Sequence, residues 1–378
     1  MEEIMDAKLK VVTVVGTRPE IIRLAECIKK CDEFFDHTLV HTGQNYDYTL
    51  NQIFFDDLQL REPDHYLNVA GKHLGETIGN VIAKSYELLS EIKPDAILVL
   101  GDTNSVLCTI AAKRLKIPIF HMEAGNRCFD QNVPEEINRK ISDHISDINL
   151  TYTENSRRYL LSEGFRKDHV FVTGSPLKEV LNKYEVEILE SNVVNRLGLE
   201  PKEFIVVSSH REENIDLKDH FNILSEALNA VAEKYQMPII FSTHPRTRNK
   251  IKASGIQFHK LIRNIEPLGF FDYVKLQKEA FVVLSDSGTI SEESAMMDFP
   301  AVSIRTSTER PEAIDAGTIV LGGITTESML QSIPIAQELQ ESGQAHLPLE
   351  YQVTNCSTRV IRAIQSYTSI VNKVTWNK

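Results

Sequence analysis

Residues 121–139, HMEAGNRCFDQNVPEEINR, gather His121, Glu123, Arg127, Asp130, Glu135, Glu136 and Arg139 directly after the apolar run IPIF at 117–120. About twenty residues earlier, Gly101, Asp102 and Thr103 follow another apolar run, AILVL at 96–100. Acids in the first turn of a helix are ordinary partners for its dipole. That accounts for one of Glu135 and Glu136, which stand just behind Pro134. It does not account for Asp102 and Glu123, which fall at the ends of two predicted strands. Carboxylates in such positions suit proton transfer and the stabilisation of positive charge, while the cations among them suit an anion.

Other strand ends carry complementary groups. GTRPE at 16–20 sets a glycine turn and Arg18 at a helix start, where free N–H groups favour an anion. It lacks the spacing of a dinucleotide fingerprint or a P-loop, and a capped turn with a surface arginine explains it equally well. LSDSGTISEE at 284–293 crowds Ser285, Ser287, Gly288 and Thr289 into one turn, enough hydroxyls and N–H groups to cradle a diphosphate. Glu293, in the helix that follows, is placed to bond the two hydroxyls of a ribose. An ordinary N-cap with an acidic first turn is the plainer alternative. SSHREEN at 208–214 puts His210 beside Arg211, and THPR at 243–246 repeats the idea with His244 and Arg246, for which a solvated turn serves as well.

These groups need elements to hold them. β-Branched apolar runs alternate with amphipathic stretches along the whole chain. Strands are expected at 10–15, 37–42, 96–100, 117–121, 148–152 and 170–173, then at 204–208, 238–242, 281–284 and 301–304. Helices are expected after Gly16 through about Lys30, and at 74–92, 104–115, 217–235, 289–297 and 358–371. The pattern predicts an α/β fold of two doubly wound, parallel-sheet, Rossmann-like domains facing a cleft. The first domain spans 1–178, with the C-terminal helix 358–378 packing back on it; the second, nucleotide-binding, spans 179–357. In such sheets ligands bind beyond the carboxyl ends of the strands, where the charged motifs lie.

Composition narrows the function. The chain has 378 residues, 42% hydrophobic and 25% charged, with a net charge of −12. That balance argues against nucleic acid and anionic membranes as partners. No apolar run reaches the roughly 20 residues of a membrane span, and the start MEEIMDAKLK has no signal-peptide pattern. Five cysteines, an odd number, suit reduced thiols in a cytoplasm. Cys27 and Cys31 share a predicted helix, but no His or Cys pair completes a zinc set, so no metal is expected.

Taken in order, GTRPE at 16–20, GDT at 101–103, HMEAG at 121–125, PEEINR at 134–139, HREEN at 210–214, SDSG with its glutamates at 285–293 and TERPE at 308–312 resemble the non-hydrolysing UDP-N-acetylglucosamine 2-epimerases. The resemblance runs through essentially the whole chain. It implies a GT-B type fold, a UDP-sugar substrate, UDP as a partner, a homodimer through the first domain, and no cofactor. It implies expulsion of UDP from C1 to give a 2-acetamidoglycal, then re-addition with a proton on the other face of C2. Asp102, Glu123, Glu135 and His210 carry over as catalytic. Arg18, Arg23, Arg139, Ser287, Gly288, Thr289, Glu293 and Arg310 carry over as substrate-binding.

Departures from the family pattern sharpen the reading. Asn126 stands where members commonly have leucine, and the segment before PEE is short. This form resembles the UDP-N-acetyl-L-fucosamine synthases, which invert C2 of UDP-2-acetamido-2,6-dideoxy-L-talose for capsule or O-antigen. The alternative within the family is conversion of UDP-N-acetylglucosamine to UDP-N-acetylmannosamine; outside it, a GT-B glycosyltransferase, for which no acceptor groove is marked. Arg23 stands where many members have lysine, and Thr289 replaces a second glycine of the diphosphate turn. Asn45, followed by Tyr46, stands in place of the usual histidine after Gly43-Gln44, which weakens the expectation of a regulatory second UDP-sugar site.

Overall fold

A computed structural model describes residues 8–43, 48–209, 218–243, 247–248, 251, 255–305, 307–343 and 345–378. His210, Arg211, Asn45, Tyr46, His244 and Arg246 lie outside the described residues. The chain divides into two compact domains, one formed by Met1–Lys183 with Gln352–Lys378, the other by Tyr184–Tyr351.

In the first domain seven strands form one parallel sheet: β1 (Lys10–Val15), β2 (Asp36–His41), β3 (His65–Tyr66), β4 (Ala96–Leu100), β5 (Ile119–Met122), β6 (Ile148–Thr151) and β7 (Val170–Val172). Their order is β3-β2-β1-β4-β5-β6-β7. In the second domain β8 (Ile205–Ser208), β9 (Ile239–Ser242), β10 (Ile262–Ile265), β11 (Val282–Ser285), β12 (Ala301–Ser303) and β13 (Val320–Leu321) run β10-β9-β8-β11-β12-β13. Every described pairing is parallel. In each sheet the order reverses between a first strand and a fourth, at β1/β4 and β8/β11. These are the switch points beyond which doubly wound sheets open a crevice.

The strands are continuous apolar runs because both faces of each sheet are covered. In the second domain Ile205 and Val207 join a core with Leu224, Val231, Met329 and Ile333. The alternating residues Phe204 and Val206 join another with Leu276, Ile290 and Ala313. In the first domain Val12, Val14, Ile97, Val99 and Ile119 pack with Val81 and Leu89, the inward stripe of helix Leu74–Ile92. The last helix, Cys356–Trp376, packs on helix Arg18–Phe34 within the first domain. Its N-terminus is tied there by Glu179, whose carboxylate accepts from the Ser357 N–H at 2.8 Å and the Ser357 hydroxyl at 2.5 Å.

Candidate functional site

Beyond β1, Gly16 and Thr17 lead into helix Arg18–Phe34, with proline in its first turn. Glu20 folds back on this turn. Its Oε2 accepts the Gly16 N–H at 2.6 Å and the Thr17 N–H at 2.7 Å. Its Oε1 accepts from the hydroxyls of Thr103, at 2.8 Å, and Ser105. Glu20 therefore laces the turn after β1 to the turn after β4, across the switch point. Burial raises its pKa, and the four donors only partly oppose that. Sequence reasoning passed over this role, although Thr17 and Glu20 show the T-x-x-E spacing of a capping box. Arg18 is exposed, with its guanidinium 5.6 Å from the centre of the Phe54 ring.

Beyond β5, Glu123 sits with φ +63°, in the left-handed region that β-carbon residues seldom adopt. Such backbone concentrates at functional sites. Gly125 follows at φ +80°, where a β-carbon would collide with the Ser156 carbonyl. The Glu123 carboxylate pairs through Oε2 with the buried Arg23, whose guanidinium also lies 5.5 Å from the Tyr152 ring centre. Its Oε1 is 3.4 Å from the Asn126 amide nitrogen. Asn126 is held in that orientation by the Ser156 hydroxyl, which donates to its oxygen at 2.9 Å.

Beyond β4, Asp102 is clasped by Arg139, with Nε at 2.8 Å and Nη2 at 2.6 Å from the same oxygen. Arg139 also reaches Glu136, one turn earlier, at 3.0 Å. Glu136, fully buried, accepts the N–H groups of Cys128 and Phe129. Burial pushes its pKa up, but these donors and Arg139 win and hold it below the ordinary glutamate value. Glu135 is half-buried and, among the described residues, its carboxylate makes no hydrogen bond or ion pair. Of the two adjacent acids, the structure thus locks Glu136 into the loop 128–139 and leaves Glu135 available.

Beneath these loops three buried side chains, His121, Asp143 and Arg127, join the partly exposed Glu163. His121 Nε2 is 2.7 Å from the Gly101 carbonyl, and its Nδ1 is 2.9 Å from Asp143. Asp143 also accepts the Gly125 N–H at 3.1 Å and Arg127 at 2.7 Å. Arg127 forks onto Glu163, with two contacts of 2.8 Å. Burial works against the charged forms of His121 and Asp143. Their mutual contact overcomes it, raising the His121 pKa and lowering that of Asp143.

In the second domain, β11 runs into the turn of Asp286, Ser287, Gly288 and Thr289 and then helix Ile290–Met297. The Ser287 and Thr289 hydroxyls are 3.0 Å apart, and Thr289 donates to Glu293 at 2.7 Å. Gln277 donates to the other Glu293 oxygen at 2.7 Å. Glu293 is thereby aimed back at the turn. Asp286, buried, accepts the Ser209 hydroxyl at 2.7 Å, joining the ends of β8 and β11. Arg310, also buried, stands at the N-cap position of helix Pro311–Asp315 and reaches Glu292 at 3.2 Å. Asp102, Glu123, Arg18, Arg23, Arg139 and Glu135 belong to the first domain, and Ser287, Gly288, Thr289, Glu293 and Arg310 to the second.

At the end of β2, His41 is 2% exposed and its Nδ1 accepts the Gly43 N–H at 3.0 Å. Burial pushes its pKa down from 6.5 to about 4. A depressed histidine pKa leaves stability intact above the unfolded value and removes it as pH falls toward the folded one. Chemical denaturation of the wild type should therefore lose about 3 kcal/mol between pH 6.5 and pH 4 that a His41→Gln variant does not lose. Equal losses in the two proteins would contradict the assignment.

The family model for UDP-N-acetylglucosamine 2-epimerase matches residues 29–365. The structure of a UDP-N-acetylglucosamine 2-epimerase from Rickettsia bellii is similar, with 45% identity, a TM-score of 0.90 and coverage of 98% of this chain and 100% of that one. A structure of the Methanocaldococcus jannaschii UDP-GlcNAc 2-epimerase in complex with UDP-GlcNAc and UDP gives a TM-score of 0.88 at 32% identity, covering 94% of this chain and 99% of that one. A UDP-N-acetylglucosamine 2-epimerase of the same organism is 35% identical over 337 residues, 86% of this chain and 92% of its own. The fold and these relatives define an α/β isomerase of GT-B type, and the chain belongs to the UDP-N-acetylglucosamine 2-epimerase family of non-hydrolysing UDP-sugar 2-epimerases. These relatives carry the name of the UDP-N-acetylglucosamine enzymes; none of them names the L-fucosamine branch that the 126–133 segment suggests. No helix among the described residues is long and apolar enough to cross a membrane.

Proposed function

We propose that the chain interconverts UDP-N-acetylglucosamine and UDP-N-acetylmannosamine through a 2-acetamidoglycal. The observation that carries this is the pair Asp102 and Glu123 at the ends of neighbouring strands, each clasped by an arginine. The C2 proton of a 2-acetamido sugar has no adjacent carbonyl to acidify it. Expelling UDP from C1 avoids that difficulty: the C1–O bond breaks, positive charge builds at C1, and loss of the C2 proton forms the C1=C2 bond. Carboxylates stabilise the cation and take the proton. Re-addition of UDP with protonation on the opposite face inverts C2. Glu123, Asp102 and the unengaged Glu135 are the candidate acids and bases, and His210 is assigned by motif to the leaving group. The Ser287–Thr289 turn is assigned to the diphosphate and Glu293 to the ribose; Arg18, Arg23, Arg139 and Arg310 are assigned to binding.

Incubation with UDP-N-acetylglucosamine should yield an equilibrium mixture with UDP-N-acetylmannosamine on anion-exchange chromatography, without net release of UDP. Stoichiometric UDP release would make the reaction hydrolytic. Arg18→Ala should weaken UDP binding about tenfold in calorimetry, the scale of one charge-assisted contact. An unchanged Kd would remove Arg18 from the phosphate site.

A second reading, conversion of UDP-2-acetamido-2,6-dideoxy-L-talose to UDP-N-acetyl-L-fucosamine, is favoured by one feature. Asn126 brings a buried amide to within 3.4 Å of Glu123 where family members commonly carry leucine.

A further inference from the structure

We propose that Asp143 is a positioning residue that holds His121 as a buried imidazolium and through it couples the Asp102 turn to the Glu123 loop. The inference rests on the reading of Asp102 and Glu123 as the reacting carboxylates. Neither Asp143 nor His121 is among the residues assigned to contact substrate.

A backbone carbonyl can only accept, so the 2.7 Å contact to Gly101 requires a proton on His121 Nε2. A neutral ring of that tautomer would leave the Nδ1 lone pair 2.9 Å from an Asp143 oxygen. That pair has the distance of an ion pair but not the alignment of a hydrogen bond, so the attraction is chiefly Coulombic. A lone pair facing a carboxylate with no exposure to water is strongly unfavourable, whereas an N–H cation is favoured. The groups facing His121 agree. Asp143 comes from helix Pro134–Ile145, the Gly101 carbonyl from the end of β4, and the Glu123 charge from its own loop. Its neighbour on β6, Asn149, is uncharged and donates to the Asp143 carbonyl at 3.1 Å. The cation beside Asp143, Arg127, is also paired with Glu163.

The geometry then gives the imidazolium a task. Asp143 Oδ2 takes the Gly125 N–H and Arg127, the two anchors of the loop that carries Glu123 at positive φ. Its Oδ1 faces His121, whose other nitrogen pins the carbonyl of Gly101, the residue before Asp102. One fully buried carboxylate thus fixes both strand-end turns. Removing its charge should let them shift relative to each other, and a misplacement of about 1 Å can lower a rate by about 100-fold.

The direct test is nitrogen NMR of protein carrying ¹⁵N-histidine, with His121→Gln to assign the signal. Both His121 nitrogens protonated at pH 7.5 is the expected result; an unprotonated Nδ1 would overturn the proposal. In kinetics, Asp143→Asn should lower kcat about 100-fold with KM within about threefold, and UDP affinity should hold, since neither Asp143 nor His121 is assigned to contact UDP. His121→Gln keeps a donor for Gly101 but no charge, and should show the same kcat loss, with the double variant no slower than either. Wild-type kcat in either folded variant, or a loss carried only by KM, would contradict the coupling. If Asp143→Asn does not fold, the wild-type spectrum and His121→Gln decide the matter. A wild type inert on every UDP-sugar would count against the functional reading alone, because the spectrum needs no substrate.

Discussion

Glu123→Gln is expected to lower turnover by about 10³-fold while UDP binds nearly as before. Glutamine keeps the size and the contact with the Asn126 amide, but it can neither take a proton nor balance positive charge at C1. It also leaves the buried Arg23 facing a neutral amide. Domain folding should survive, because Arg23 keeps the Tyr152 ring 5.5 Å away and Gly125 keeps its turn. UDP affinity should survive because the diphosphate groups are assigned to Ser287, Gly288 and Thr289. Turnover within a few-fold of wild type would remove Glu123 from the chemistry.

The second large effect concerns stability. Arg127 is among the largest fully buried side chains of the protein, and it neutralises Asp143 and Glu163 at once. Arg127→Met fills similar volume but leaves Asp143, fully buried, without one of its two cationic partners. Deleting one partner of a buried ion pair costs about 3–5 kcal/mol, chiefly the penalty on the charge left behind. Glu163, whose side chain is a quarter exposed, can recover water and contributes less. Chemical denaturation of the variant should show that loss, and Arg127→Met with Asp143→Asn should lose clearly less than the sum of the two single changes. Additive losses would mean that the two side chains do not depend on each other.

Much of the fold was legible in the sequence, because buried parallel strands are unbroken apolar runs. The expected bounds of β1, β4 and helix Leu74–Ile92 coincide with those observed. Three strands were not foreseen. β3 and β13 have two residues each, and β10 reads IRNI, with two exposed polar residues between isoleucines. All lie at or beside sheet edges, where pairing needs little hydrophobic pattern. The helix expected over 104–115 begins as a 3-10 turn, Asn104–Leu107, because Thr103 caps it at the Ser105 N–H.

The strand-end carboxylates could be picked out because chemistry-bearing residues clustered after apolar runs. Their supports could not. Asp143 meets His121, Gly125 and Arg127 only after helix Pro134–Ile145 folds back on β5, and alone it reads as an ordinary helical acid. Glu135 and Glu136 are indistinguishable in sequence, yet about 100° of helical turn sends one inward to Arg139 and leaves the other half-exposed. Glu20 was visible as a helix cap, but its bonds to Thr103 and Ser105 cross 83 and 85 residues of chain.

The most direct measurement is proton NMR in D2O with UDP-N-acetylglucosamine, beside a second sample with UDP-2-acetamido-2,6-dideoxy-L-talose. Deuterium entering C2 of the first sugar as UDP-N-acetylmannosamine appears is the predicted result. Exchange confined to the second sample would transfer the assignment to the L-fucosamine reaction and give Asn126 a role in substrate choice. Epimerisation without deuterium at C2 would contradict the elimination and re-addition route itself.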